Sequence, residues 1–168
     1  GTYSKIEGFA FLPITSFMMA LTTFVSQNRG AKEYERARKG ARFGLVCSVS
    51  LAETIGLLIA LFVTPLMRLF VDDPQVIQYG VERAHYATIL FFMLAYSHGV
   101  SAVLRGVGKS IIPMVVMLVC WCLVRVTLLT MLNTLFHNIL FVYLIYPFTW
   151  SLSSIVFFLY YRKINWQE

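Results

Sequence analysis

Charge is what this sequence has least of. Asp, Glu, Lys and Arg make up 13% of its 168 residues, against about one quarter in an ordinary soluble domain. Gly8 to Asn28 and Ala84 to Leu104 carry no charge at all, Phe43 to Met67 carries only Glu53, and Ser110 to Tyr161 carries only Arg125. Cysteine is also scarce: Cys47, Cys120 and Cys122 are odd in number and all lie in apolar runs, which excludes a disulfide framework. Small, packable thiols describe them better than a metal or redox Cys-Trp-Cys pair. The first residue is Gly rather than Met and no leader precedes the first apolar run, so the chain reads as a piece of a longer protein.

Hydrophobic residues fill the gap, at 58%. A chain this short needs only a modest core, so the surplus apolar surface must face something other than water. A bilayer span takes about 20 apolar residues. The uncharged runs therefore predict five spans, at 8–27, 45–66, 84–104, 111–132 and 139–161, with Asn133, His137 and Asn138 dividing the last long run in two. Only helices and closed barrels satisfy their backbone in lipid. These runs are apolar all round, without the alternation of barrel strands. The expected fold is an all-α membrane protein.

The basic residues are arranged by side. Arg29, Lys32, Arg36, Arg38, Lys39 and Arg42 follow the first span, Arg105 and Lys109 the third, and Arg162 and Lys163 the fifth. The opposite side holds Lys5, Arg68 and Arg83. Positive residues gather on the cytoplasmic side, so the expected topology starts outside and ends with a cytoplasmic C-terminus, in a multi-pass protein of the cell membrane. This placement also explains the net charge of +6 without a nucleic-acid partner. The basic segment Asn28 to Arg42, with Ala31, Tyr34, Ala37 and Ala41 on one side, is expected to lie along the inner membrane surface.

Several short motifs have structural readings. Asp73-Pro74 suits a helix start, with Asp as cap and Pro in the first turn; Asp72 and Asp73 alone are too few for a metal. Gly108-Lys109-Ser110 resembles the end of a phosphate-binding loop, but Val103 stands where that motif needs glycine, so a tight turn between spans accounts for Gly106 and Gly108. Tyr160, Tyr161, Arg162, Lys163 and Trp166 form an aromatic and basic anchor at the inner interface. No nucleophile–base arrangement, metal set or cofactor fingerprint is present in the sequence, so no enzyme is expected.

Ionisable groups within spans mark functional positions. At 1.5 Å per residue, Glu53 lies roughly 12 Å, His98 roughly 10 Å and Arg125 roughly 20 Å from the cytoplasmic ends of their spans. Glu53 and Arg125 are candidates for a buried ion pair or for ion coupling. Arg125 follows Trp121 by one turn and is placed to stack on it. In the first span Thr15, Met19, Thr22 and Ser26 form a semi-polar stripe, which reads either as tight helix packing or as the wall of an aqueous cavity.

Longer motifs resemble one family. Gln27-Asn28-Arg29-Gly30-Ala31-Lys32, Leu104-Arg105-Gly106-Val107-Gly108 with Pro113, Cys120-Trp121-Cys122-Leu123-Val124-Arg125 and Tyr146-Pro147-Phe148-Thr149-Trp150 resemble, in order and spacing, segments of the multidrug and toxic compound extrusion (MATE) transporters. The resemblance covers nearly the whole chain. It implies that residues 1–168 are a partial C-terminal lobe, five helices of a six-helix transporter lobe. It further implies a secondary antiporter that exports drugs or toxic organic cations in exchange for H⁺ or Na⁺, with the N-terminal lobe and the lipid bilayer as partners. Leu94 stands where the sodium-coupled branch carries an acid.

On that reading the first and third spans line the cavity, with Thr15, Met19, Thr22, Tyr96 and His98 as contacts. Thioethers and rings repack around varied lipophilic cations and attract their charge. Three alternatives remain: a lipid-linked oligosaccharide flippase of the same superfamily, with Arg125 for pyrophosphate; a membrane-embedded enzyme, which needs Glu53 and His98 within reach of each other; and a non-transporting assembly subunit, against which the polar stripe counts.

Overall fold

A computed structural model describes residues 1–167 as a bundle of helices with no strand among them. The helices are α1 (Thr2–Gly30), α2 (Tyr34–Arg68), α3 (Pro74–Ala87), α4 (Phe91–Gly106), α5 (Ile111–Met117), α6 (Arg125–Phe136) and α7 (Ile139–Arg162). A 3₁₀ turn at Thr88–Leu90 joins α3 to α4, and a π-helical segment at Leu118–Val124 joins α5 to α6. Counting across those joins, five helical segments are long and apolar enough to cross a membrane: Thr2–Gly30, Tyr34–Arg68, Pro74–Gly106, Ile111–Phe136 and Ile139–Arg162. These are the five expected spans, the first three extended at both ends and the last two at their C-terminal ends.

The extensions have physical causes. Asp73 caps α3 by accepting from the Gln75 N–H at 2.9 Å, with Pro74 in the first turn, so the third span starts ten residues before the uncharged run at 84–104. Asn138 caps α7 in the same way, through Leu140 N–H at 3.0 Å, and His137 takes the left-handed conformation that reverses the chain. Asn133 lies within α6 and breaks nothing.

One expectation is corrected. The basic segment 28–42 does not lie as a separate surface helix. Only Ala31–Glu33 leave the helical path; Lys32 has φ +60°, and Glu33 N–H bonds back to Asn28 O at 2.8 Å. From Tyr34 the chain climbs directly through α2, a helix of 35 residues. At 1.5 Å per residue that is about 52 Å, some 20 Å more than the hydrocarbon core. The basic first turns of α2 are the overhang.

α4 is the centre of the bundle and packs against α1, α2 and α7. Two thirds (67%) of the most apolar window of Pro74–Gly106 is buried, against 17–33% in the other four segments. Beside larger buried residues such as Phe91 and Leu104 it buries many small ones: Ala95, Ser97, Gly99, Ser101, Ala102 and Gly106. Small residues let helices approach closely where lipid offers no hydrophobic drive to associate. At Gly106 a Cβ would stand 2.9 Å from Thr22 O and 2.8 Å from the Val25 side chain. Gly108, at φ +84°, then turns the chain toward α5 in a conformation that costs glycine little. At the other extreme, α6 has no buried residue and leans on α7.

Backbone contact at Gly106 gives a direct test. Gly106→Ala is expected to force α1 from α4 and lower stability by about 1–3 kcal/mol. Gly8→Ala, where nothing lies within 4 Å of the new Cβ, is expected to be neutral or to stabilise by about 0.5–1 kcal/mol. Thermal unfolding in detergent measures both.

Candidate functional site

The face shared by α1 and α4 carries a groove of about 490 Å³, lined by Thr15, Met18, Met19, Thr22, Thr23, His98 and Arg105. The 3.6-residue period explains the α1 contribution: Thr15, Met19 and Thr22 recur on one face, one turn apart. Their hydroxyls do not compete for the space. Thr15 donates to Leu12 O at 2.8 Å and Thr23 to Met19 O at 3.1 Å. The Thr22 hydroxyl lies 3.1 Å from Met18 O and 3.0 Å from Ala102 O, the second a link to α4. With their hydrogens committed, these oxygens can take further hydrogen bonds only as acceptors. Met19 is 73% exposed on its lip. Arg105 also lines a second cavity of about 430 Å³ with Ser26, Arg29, Gly30, Tyr34 and Gly108, so the two cavities adjoin and the whole stripe from Thr15 to Ser26 faces open space.

Four of the five expected contacts, Thr15, Met19, Thr22 and His98, line this groove. Tyr96 does not. It lies on another side of α4, against the apolar cluster built from Leu45, Val100, Leu104, Val116, Cys120 and Phe157. Residues two apart on a helix point about 200° apart, so Tyr96 and His98 cannot share a wall.

His98 connects the groove to the polar interior. Its ring lies 5.1 Å from Phe11 and 5.1 Å from Trp121. The Trp121 indole N–H donates to Ser153 Oγ at 3.1 Å, and Ser97 lies within 2.8 Å of Ser153 and 3.0 Å of Ser154. Arg125 stacks over Trp121 at 5.6 Å, as its spacing predicts, and over Tyr146 at 4.5 Å, while its guanidinium donates to Thr149 Oγ1 at 2.7 Å.

The expected Glu53–Arg125 ion pair is absent: the ion pairs among the described residues are Lys39–Glu35 and Arg83–Glu7. Glu53 instead accepts the Phe92 N–H at 3.2 Å. The 3₁₀ turn interrupts the helical ladder just there, and a carboxylate from α2 meets a backbone donor at the start of α4, where the helix dipole favours negative charge. Glu53 and His98, which an embedded enzyme would need together, have separate partners.

Glu7 is the residue that sequence reasoning missed. It stands one position before the charge-free run that defined the first span, yet the helix begins at Thr2. Arg83 donates to Glu7 Oε2 at 3.2 Å and to Ser4 Oγ at 3.3 Å, and its guanidinium lies over the Tyr3 and Tyr146 rings at 5.1 and 4.9 Å. Tyr146 thus lies against both Arg83 and Arg125. The second Glu7 oxygen, Oε1, is buried without a partner. An uncharged run is a safe marker of a span but trims acids that a span carries at its rim.

Comparison with known proteins covers the groove. The family model MatE matches residues 1–131, which include every residue lining the α1/α4 groove. A probable multidrug resistance protein, NorM, of Thermotoga maritima is 30% identical over 112 residues, 67% of this chain and 24% of the relative. A probable multidrug resistance protein, YoeA, of Bacillus subtilis is 23% identical over 170 aligned positions, 100% of this chain and 36% of the relative. The chain thus spans about a third or less of the length of these curated relatives.

The Glu7–Arg83 pair is mostly shielded, its side chains 18% and 22% exposed. Its worth should fall between that of an exposed pair and that of a buried one. Arg83→Gln strands the carboxylate and is expected to cost about 2 kcal/mol. Adding Glu7→Gln should restore most of that loss. A double-mutant cycle by thermal unfolding in detergent reads the coupling.

Proposed function

Because this chain belongs to the MatE family, we propose that it forms most of the C-terminal lobe of a secondary antiporter that exports drugs or toxic organic cations in exchange for H⁺ or Na⁺. The observation that carries the reading is the α1/α4 groove inside the family-matching segment. Thr15, Met18, Met19, Thr22, Thr23 and His98 wall it with soft sulfur, ring face and acceptor oxygen, and Arg105 closes the end it shares with the neighbouring basic cavity. Such walls take lipophilic cations of varied shape, because thioethers and rings repack and offer negative electrostatic potential. Groove residues carry no carboxylate, so the charge complement to a bound cation comes from the other lobe, across a central cavity between the two. Rocking of the lobes about that cavity gives alternating access. The names of the relatives, both multidrug resistance proteins, support the same reading.

The end bearing Arg29, Arg38, Arg42, Arg105 and Arg162 is the cytoplasmic one on this proposal, with the C-terminus inside, in a cell membrane. The cavities at that end are lined by these same arginines, which supports the assignment.

Two carboxylates within the spans bear on coupling, and their loads differ. Glu53 holds the Phe92 N–H at the interrupted helix, a structural duty. Glu7 has one oxygen on Arg83 and the other unmet. A proton or Na⁺ arriving at that carboxylate competes with Arg83 and releases it toward Tyr146, which links ion occupancy to the Arg83–Tyr146–Arg125 stack. Coupling is therefore assigned to Glu7 in preference to Glu53. The flippase reading finds a partial footing in Arg125, which lacks a carboxylate partner, but Arg125 is engaged with Thr149, Trp121 and Tyr146, away from the groove.

Dye efflux by the full-length parent in vesicles, driven by an imposed pH gradient or an imposed Na⁺ gradient, tests both parts. The expected result is efflux driven by one of the two gradients. Glu7→Gln should cut the driven rate by about ten-fold or more. Glu53→Gln keeps an acceptor oxygen for Phe92 N–H and should stay within about two-fold. Alanine at Thr15, Met19 and Thr22 together should change the spectrum of exported dyes. No efflux under either gradient would sink the antiporter. Loss in Glu53→Gln with Glu7→Gln intact would reverse the assignment of the coupling carboxylate.

A further inference from the structure

Three arginines from two helices converge at one corner of the basic end. Arg38 and Arg42 on α2, Arg162 at the end of α7, and Tyr161, Ile164 and Trp166 line a cavity of about 320 Å³. The corner is built by the chain rather than by loose side chains. After Arg162 the tail folds back, and Ile164 and Trp166 pack against the cluster that includes Val25, Ala41 and Val103. The Trp166 ring meets Tyr161 edge to face at 6.4 Å, and Arg162 lies over Phe158 at 5.8 Å. No carboxylate lines the cavity among the described residues; the ion pair on this part of α2 joins Lys39 to Glu35.

Two features separate this corner from a merely solvated basic face. The Tyr161 hydroxyl is buried within reach of the Arg42 guanidinium, which can only donate to it, with Arg38 close by, so its own hydrogen meets no acceptor. A buried donor of that kind is normally satisfied. The cavity also opens onto apolar surface. Val46, one turn above Arg42, is 65% exposed; Phe158 and Ile155, one and two turns above Arg162, are 47% and 60% exposed. Each arginine-bearing helix therefore presents a basic rim followed by a stripe suited to acyl chains.

We propose that this corner is a binding site for a phosphate-bearing anion, occupied in the membrane by the headgroup of an anionic phospholipid. The guanidinium forks take the phosphate oxygens, the Tyr161 hydroxyl gains an acceptor, the Trp166 indole sits at headgroup depth, and the acyl chains run along Val46 and Phe158. The site is separate from the α1/α4 groove and does not depend on the transport reading. A bound lipid here would tie α2 to α7 at a corner where otherwise like charges face each other.

The test uses the intact protein carrying this chain, purified in detergent. Native mass spectrometry compares retention of phosphatidylglycerol with that of phosphatidylcholine, and thermal unfolding is followed with inorganic phosphate alone. The expected result is a preference of about ten-fold for phosphatidylglycerol. It should vanish in the triple variant Arg38→Gln, Arg42→Gln, Arg162→Gln. It should persist in the charge-matched control Lys32→Gln, Arg36→Gln, Lys39→Gln. Tyr161→Phe, which changes no charge, should reduce it about three-fold. Stabilisation by inorganic phosphate, lost in the first triple and without any lipid preference, assigns the same site to a soluble phosphate ion. Equal losses in both triples, or neither lipid preference nor phosphate stabilisation in the unaltered protein, overturns the proposal.

Discussion

A polar group inside hydrocarbon must find its partner within the protein, because the solvent there offers none. The arrangement of this bundle follows from that constraint. Hydroxyls on the exposed faces donate to their own helix, as Thr15, Ser16, Thr23, Thr127, Thr130 and Thr134 do. Groups that cannot be met locally are met across helices. Glu53 supplies an acceptor at the interrupted start of α4, Thr149 supplies one to Arg125, and Ser153 supplies one to Trp121. Each such bond is worth only about 0.6 kcal/mol on average in membrane proteins. Their effect is less on total stability than on which helix faces which, since an unmatched group costs more than a matched one gains.

The same constraint made much of the fold legible in the sequence. Runs long enough to span are visible because lipid tolerates so few charges, and five runs became five helical segments. Asp73-Pro74 announced a helix start by side-chain chemistry that works at short range, and Asn138, legible only as a break between two spans, caps the second of them. The one-turn spacing of Trp121 and Arg125 sufficed to place a stack. Thr15, Met19 and Thr22 reached the groove because they recur on one face of a single helix.

What stayed hidden depends on relations between helices. Depth along a span says nothing of azimuth, so Glu53 and Arg125 stand at depths that long side chains could bridge and yet face different neighbours. Tyr96 and His98 were close in sequence and diverged in direction. Glu7 was cut off by a boundary drawn at the first charge, though its partner Arg83 lies 76 positions away and has no local signal pointing to it. The overhanging start of α2 was read as surface-lying because amphipathicity fits a helix on the membrane and a helix rising out of it equally well.

The π-helical segment at Leu118–Val124 shows how a local irregularity organises the site. Each residue turns an α-helix by about 100°, so an extra residue accommodated in a wider turn redirects everything after it. Arg125 is the first residue beyond the segment, and Trp121 lies within it. Together they are the main polar attachments of this span to α7, through Thr149 and Ser153. Beyond Arg125, α6 buries nothing. The span is therefore held by apolar packing of Pro113, Val116 and Cys120 in its first half and by two polar contacts beside a weakened stretch of helix, while its far half only leans against α7. His98 meets Trp121 from the groove side, and Arg125 shares the face of Tyr146 with Arg83. A shift of the π segment by one residue would break both contacts with α7 at once. In that sense it is the place in this bundle where the groove and the Glu7–Arg83 pair depend on the same few bonds.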